Sequence, residues 1–302
     1  MRGMSFDKRN GFPWHNWHKW LWGLLLLVFL STPLARAGDN NAPVKRVISL
    51  VPSITEMVFR LGAQKYLVGR TTYCTYPPQA QKLPSVGGYL DPDYETIVRL
   101  HADAVLLLPG AYYTEKFRKL ELQTIELPDE TIQDILFSLK ELGKLFGKEA
   151  RAQQVIAGIQ DTLRWVQTHQ AKRKLRALII IGHEPGALRG LYVVSNGSFL
   201  GELWQLAGGE NVFPQKKPRY FQTSMEDVVV ARPEIILDIH GNPLSTSQKR
   251  QCKQLWQTFP SIPAVQQDHI VVLDQPGVLI PGPRIAQTAI RFHQIISHFA
   301  EK

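Results

Sequence analysis

The sequence predicts an α/β protein built from two Rossmann-like α/β lobes joined by a single long backbone helix, with a cleft between the lobes. Three observations carry that expectation. A pattern occurs twice: Glu95-Thr-Ile-Val-Arg-Leu-His-Ala-Asp103-Ala-Val-Leu-Leu-Leu108 and Glu226-Asp-Val-Val-Val-Ala-Arg-Pro-Glu234-Ile-Ile-Leu-Asp-Ile239. Each copy opens on a Glu, places an acidic residue eight positions later and runs into an apolar strand. An offset near half the chain is too long for a solenoid unit and signals two similar lobes. Short apolar strands alternate with helical stretches, the mark of mostly parallel sheets. Finally, a Pro-free stretch from Lys148 to Gln170 carries Ala152, Ile156, Ile159, Leu163 and Val166 on one helical stripe.

The elements follow in chain order. Residues 1–37 hold a basic, Trp-rich start, an apolar run from Leu21 to Leu30 and Ala35-Arg-Ala37. That order reads as a secretory signal peptide, the apolar run being short of the about 20 residues a membrane span needs. Residues 38–147 form the N-terminal lobe. In it Arg46-Val-Ile-Ser-Leu-Val51 reads as a buried strand, and Ser53-Ile-Thr-Glu56 as a capping box opening a helix. Tyr66 to Gly69, Ala104 to Leu108 and Thr124 to Leu127 supply further strands. Residues 148–172 are the inter-lobe spine helix, closed by Lys172-Arg-Lys174 as suits a helix C-terminus. Residues 173–302 form the C-terminal lobe, with strands at 178–181, 191–194, 234–239 and 270–273. It also holds a helix from Ser198 to Leu206, and a last helix that starts after Pro281-Gly-Pro283.

Composition narrows the function. The leader holds five Lys+Arg and one Asp+Glu, so the mature chain carries 30 basic against 25 acidic side chains, a net charge of +5. No basic stripe or nucleic-acid motif accompanies that mild excess. The two cysteines, Cys74 and Cys252, fall in different lobes, and neither a structural disulfide nor a cysteine-based metal site is expected. His183-Glu184 lacks the second His of a helical zinc-protease motif, and Ser195-Asn-Gly-Ser198 lacks a nucleophile-elbow glycine pattern. An enzyme is therefore not expected, and no catalytic or resident-metal residue is assigned. A periplasmic metal-dependent hydrolase stands as the rival from another class.

Aromatic and polar residues cluster where strands give way to loops. Thr71 to Pro78 and Gly87 to Pro92 do so in the first lobe; His183-Glu-Pro185-Gly186, Arg219-Tyr220-Phe221 and Asp274 to Gly277 do so in the second. In open α/β sheets ligands sit beyond the carboxyl ends of strands, so these loops should face one another across the cleft. Large flat aromatics there suit a large flat ligand. Glu95 and Glu226 fall in the first turn of their helices, where the helix dipole favours a negative charge. Their recurrence at matched places in two lobes suits docking onto a two-fold symmetric partner that offers Arg.

From Arg46 to Phe299 the sequence resembles the helical-spine class of periplasmic substrate-binding proteins of ABC importers, which serve vitamin B12, haem and iron-siderophore uptake. The motifs are Arg46-Val-Ile-Ser-Leu-Val-Pro-Ser-Ile-Thr-Glu56, Tyr73-Cys-Thr-Tyr-Pro-Pro-Gln-Ala80, Val86-Gly-Gly-Tyr89, Ser198 to Phe213 and Pro281-Gly-Pro-Arg284. The Tyr-x-x-Tyr-Pro-Pro-Gln-Ala stretch is most similar to the cobalamin receptors. The resemblance implies a periplasmic monomer that hands cobalamin or a related corrinoid to the permease and ATPase of the inner membrane, with no cofactor of its own. It implies that Tyr73, Gly88 and Tyr89 line the pocket from one lobe, and that His183, Pro185, Tyr220 and Asp274 line it from the other. It places Glu95 and Glu226 at the transporter-docking positions. Familiar B12 receptors have Trp where this chain has Tyr89 and Tyr220, and an Arg-bearing loop where it has Gln275-Pro-Gly-Val-Leu-Ile280. Haem or an iron-siderophore is the alternative ligand within the class. His183 at a strand end is also a candidate axial ligand to a metal-bearing macrocycle.

Overall fold

The computed structural model describes residues 44–215 and 217–300; the leader expected over residues 1–37 lies outside them. The first sheet contains β1 (Val47–Ser49), β2 (Leu67–Arg70), β3 (Ala104–Leu107) and β4 (Gln123–Glu126), in the order β2-β1-β3-β4 and parallel throughout. Strands β1 and β3 sit in its middle and are wholly buried. That is why they read as unbroken apolar runs and not as alternation.

Helix α1 (Pro52–Arg60) follows β1, but not through the expected capping box. Pro52 takes the first helical position and Val51 the N-cap, so Ser53 lies inside the helix and its hydroxyl caps nothing. Instead Ser53 Oγ donates to Asp129 Oδ2 at 2.6 Å, and Glu56 is spent on Arg284. Tertiary contacts have claimed both side chains that the local motif appeared to need.

The doubled pattern turns out to be one structural device built twice. Its helices are α2 (Tyr94–Arg99) and, further on, α7 (Met225–Ala231). Asp93 caps α2 by accepting from Thr96 N at 3.0 Å, and Ser224 caps α7 by accepting from Asp227 N at 3.1 Å. Six residues after each Glu the chain turns through the left-handed region, at His101 and Arg232, both with φ of 47°. The acidic residue eight positions on then clamps the start of the sheet's central strand. Asp103 Oδ2 accepts from Lys45 N and Arg46 N, each at 2.8 Å, and Glu234 Oε2 accepts from Arg176 N at 3.0 Å. The side chain of that clamped residue returns to the helix end: Arg46 donates to Leu100 O at 2.7 Å and Arg176 to Ala231 O at 3.1 Å. Free carbonyls at a helix C-terminus are satisfied by a cation in both lobes.

Helix α3 (Thr114–Lys119) joins β3 to β4, and between the two sheets in the chain run α4 (Ile132–Leu145) and the long α5 (Glu149–Thr168), whose 20 residues span about 30 Å at 1.5 Å each. Its buried face is Ala152, Val155, Ile159, Leu163 and Val166. Val155 thus replaces Ile156, which is only partly buried. The second sheet contains β5 (Arg176–Gly182), β6 (Leu191–Val194), β7 (Glu210–Asn211), β8 (Tyr220–Thr223), β9 (Ile235–Ile239) and β10 (Ile270–Leu273). Its order is β10-β9-β5-β6-β8, with β7 beside β5. Here the mostly parallel expectation holds for β10, β9 and β5, whereas β6 runs antiparallel to both β5 and β8. Tyr220 and Phe221, read as loop residues, lie in β8. The remaining helices are α6 (Phe199–Leu206), α8 (Thr246–Trp256), α9 (Pro263–Gln266) and α10 (Ile285–Ala300).

One apolar core passes through both lobes, from Ile48 and Val105 of the first sheet by way of α5 to Leu237 of the second and Phe292 of α10. A second cluster, with Leu178, Ile180, Ile236 and Trp256, belongs to the C-terminal lobe alone. Packing that continues across the lobes permits small adjustments and resists wide hinging.

Candidate ligand-binding site

Three strand-end loops of the first lobe gather aromatic side chains. The loop after β2 carries Tyr73, the loop through Gly87 and Gly88 carries Tyr89 and Leu90, and the loop after β3 carries Tyr112 and Tyr113. The first two are tied by Thr72 N donating to Gly87 O at 2.9 Å. A Cβ on Gly88 would come within 3.6 Å of the Tyr73 ring, and Gly87, with φ of 84° and the Asp91 carbonyl oxygen 2.7 Å from where a Cβ would sit, is the position that requires glycine for the loop to close this tightly. Buried Tyr113 props up the rest, its ring edge-on to Tyr89 at 5.7 Å and to Tyr112 at 4.9 Å. The Tyr112 hydroxyl donates to Leu90 O. What remains uncovered is a platform of Tyr73, Leu90 and Tyr112, exposed by 65%, 69% and 71%. Three neighbouring large apolar groups left that open mark a recognition surface. Tyr112 is missing from the sequence-based assignment, although its place directly beyond β3 obeys the same strand-end rule as the others.

The second lobe contributes less than expected. Tyr220, half-buried at the start of β8, has its hydroxyl pKa raised by burial and by the nearby Asp129 and Glu130 carboxylates of the first lobe. Its neighbour Arg219 pairs with Glu130 at 2.8 Å. Asp129 closes this corner: burial raises its pKa to about 6, against the opposing hydrogen bond from Ser53. Pro185 is exposed in a turn that Glu184 N closes on Arg189 O. Asp274 is occupied structurally, accepting from Leu244 N at 2.8 Å and pairing with Lys249 at 2.7 Å.

His183 sits at the carboxyl end of β5 with its side chain only 7% exposed. Nδ1 donates to the carbonyls of Glu184 and Ala187 at 2.9 and 3.1 Å, and Nε2 is buried 3.6 Å from Asp238. The nitrogen that axial ligation of a macrocycle would require is therefore turned into the lobe. Asp238 and His240, which no spacing rule singled out, complete this cluster. The Asp238 carboxylate raises His183 to about 9. Burial works to raise Asp238, but the two imidazoles outweigh it and hold the carboxyl at about 2.

Where the lobes meet, Arg284 pairs with Glu56 through Nε–Oε2 at 2.8 Å and Nη2–Oε1, and its guanidinium lies over the Tyr76 ring at 4.0 Å. Two motifs far apart in sequence, Ser-Ile-Thr-Glu56 and Pro-Gly-Pro-Arg284, thus form one cross-lobe contact. An open cleft of about 470 Å³ lies beside it and is lined by Phe59, Arg60, Tyr76 and Pro283. None of the residues assigned to ligand binding from sequence lines it, so it is distinct from the aromatic platform. Glu95 and Glu226 are exposed and occupy the same position, second in α2 and in α7. Neither carboxylate is engaged by another described residue. Cys74 and Cys252 are free thiols.

Over most of its length the chain is similar to known proteins. The profile of the periplasmic binding protein family matches residues 47–276. The vitamin B12-binding protein of Vibrio parahaemolyticus is 24% identical over 279 residues, 91% of this chain and 94% of the relative. That of Pectobacterium atrosepticum is 26% identical over 291 residues, covering 93% and 94%. Among solved structures, the periplasmic vitamin B12 binding protein BtuF of Vibrio cholerae superposes with a TM-score of 0.72 at 24% identity, covering 86% of this chain and 99% of that one. The periplasmic heme binding protein HutB of the same organism gives 0.70 at 20% identity, covering 83% and 98%. At these identities the solved structures establish a shared fold.

Proposed function

The chain belongs to the periplasmic binding protein family, and from that premise we propose that it captures cobalamin or a related corrinoid in the periplasm and delivers it to the permease and ATPase of an inner-membrane ABC importer. The observation that carries this reading is the exposed platform of Tyr73, Leu90 and Tyr112 beside Tyr89, a flat apolar surface matched to a flat macrocycle. The names of the curated relatives support the corrinoid over other ligands of similar shape. Tyr73, Gly88 and Tyr89 hold one face of the ligand and Tyr220 approaches from the other lobe, while Pro185 flanks its loop. Asp274 and His183 act indirectly, by fixing the loops after β10 and β5.

Delivery uses Glu95 and Glu226, which stand free at matched helix starts. Catalysis has no part in this reading. Ser195 is buried with its hydroxyl donating to Pro218 O at 2.8 Å, and Ser198 caps α6 through Gly201 N at 3.1 Å. The protein works as a monomer after removal of the leader, and needs no resident cofactor.

Titration of the purified protein with cyanocobalamin, followed by tyrosine and tryptophan fluorescence, tests the proposal. A saturable change at micromolar ligand is expected. No change with cyanocobalamin but a shifted Soret band with hemin would reassign the ligand to haem.

A further inference from the structure

We propose that His183, Asp238 and His240 form a three-residue binding site for a divalent transition metal of the zinc class in the C-terminal lobe, with the Cys252 thiol beside its rim. The topology assembles it at the ends of two strands. Strands β5 and β9 pair in parallel with Ile180 opposite Asp238, which sets His183, just past the end of β5, beside the end of β9. Asp238 lies in β9 and His240 one residue past its end, both bringing side chains to the same cluster. Cys252 reaches in from α8.

The geometry fits a metal better than it fits the protein's own hydrogen bonds. Four donors at about 2.0 to 2.1 Å from a tetrahedral zinc lie about 3.3 Å from one another. His240 Nε2 is 3.0 Å from Asp238 Oδ1 and His183 Nε2 is 3.6 Å from Asp238 Oδ2, with Cys252 Sγ at the rim 3.8 Å from His240 Nε2. One donor atom from each of the three residues lies within 4.8 Å of the others. His183 is already oriented as metal-bound histidines are, with Nδ1–H held by two backbone carbonyls and Nε2 left over. Side-chain exposures of 7% for His183 and 1% for Asp238 keep water away, and His183 Nε2, 3.6 Å from Asp238 Oδ2, makes no hydrogen bond. A buried polar atom without a partner is costly, and a cation among these donors satisfies it. Two imidazoles and a carboxylate select a borderline-soft ion over Mg²⁺ or Ca²⁺.

The test strips the untagged full chain with a chelator and titrates it with Zn²⁺ by calorimetry and with Co²⁺ by visible absorption. One equivalent should bind, with water at the fourth position, and Co²⁺ should give four-coordinate d–d bands. His183→Ala and Asp238→Asn should each weaken Zn²⁺ binding by at least about 100-fold. His240→Gln, at the more open edge of the cluster, should do the same and remain folded by circular dichroism even where the buried variants do not. Absence of stoichiometric binding, or undiminished affinity in folded His240→Gln, would overturn the site. Cobalamin titration of the same chelator-treated protein keeps this outcome separate from that of the transport reading.

Discussion

Replacing Glu56 by Gln tests whether the lobes are locked together as the geometry indicates. Glu56 and Arg284 are 4% and 15% exposed, and their two-pronged contact joins α1 of one lobe to the start of α10 of the other. Removing one partner of a buried pair leaves an uncompensated charge and generally costs about 3 to 5 kcal/mol. Arg284 keeps its bond to Pro276 O at 2.7 Å and its place over Tyr76, which moves the expected loss to the lower end, about 3 kcal/mol. For a chain of this size that is a fall of roughly 6 to 12 °C in Tm. Burial already raises the Glu56 pKa, so the pair itself carries a desolvation penalty. Replacing both partners by Met should therefore recover most of the loss. Urea unfolding followed by the buried Trp204 and Trp256 reads each variant. A loss below about 1 kcal/mol for Glu56→Gln, or a double Met variant no better than the single one, would refute the reasoning.

Other outcomes follow from the same structure. Glu95→Ala combined with Glu226→Ala should leave ligand affinity unchanged and abolish transport in reconstituted importer vesicles, since both side chains stand free of the fold. Asp103→Ala and Glu234→Ala should each cost about 1 to 3 kcal/mol in denaturant unfolding, since Asp103 holds two backbone N–H groups and Glu234 holds one together with the Arg173 guanidinium. Asp129 gives a pH signature. Its folded pKa of about 6 lies above the ordinary 3.8, so its contribution to stability is full below pH 3.8 and is lost as pH rises through 6. Relative to Asp129→Asn, the wild type should lose up to about 3 kcal/mol between pH 4 and 7 in paired unfolding curves.

Much of this architecture is legible in the sequence because it rests on local rules applied twice. The Glu-to-acid spacing of eight reports a capped two-turn helix, a left-handed exit at His101 or Arg232 and a carboxylate clamp, all within one segment. What stayed hidden depends on partners remote in sequence. Ser53 and Glu56 look like a capping box until Pro52 takes the helix start and Asp129 and Arg284 claim the side chains. Strand β8 is four residues long and follows a Pro-containing stretch, so it offers no periodicity; only pairing with β6 makes it a strand. Asp238 and His240 approach His183 because β5 and β9 pair in register, and no motif encodes that across more than fifty residues. The platform was half visible: Tyr73 and Tyr89 follow from the strand-end rule, which applies equally to Tyr112.

Calorimetric titration with cyanocobalamin of the wild type beside Tyr73→Ala and Tyr112→Ala tests capture of a corrinoid on the aromatic platform. One ligand per chain should bind, with a negative heat-capacity change. Each variant should lose about 0.5 to 1.5 kcal/mol of stacking, a roughly 2- to 13-fold weaker Kd. Binding of unchanged strength in both variants, or no heat of binding in the wild type, would contradict it.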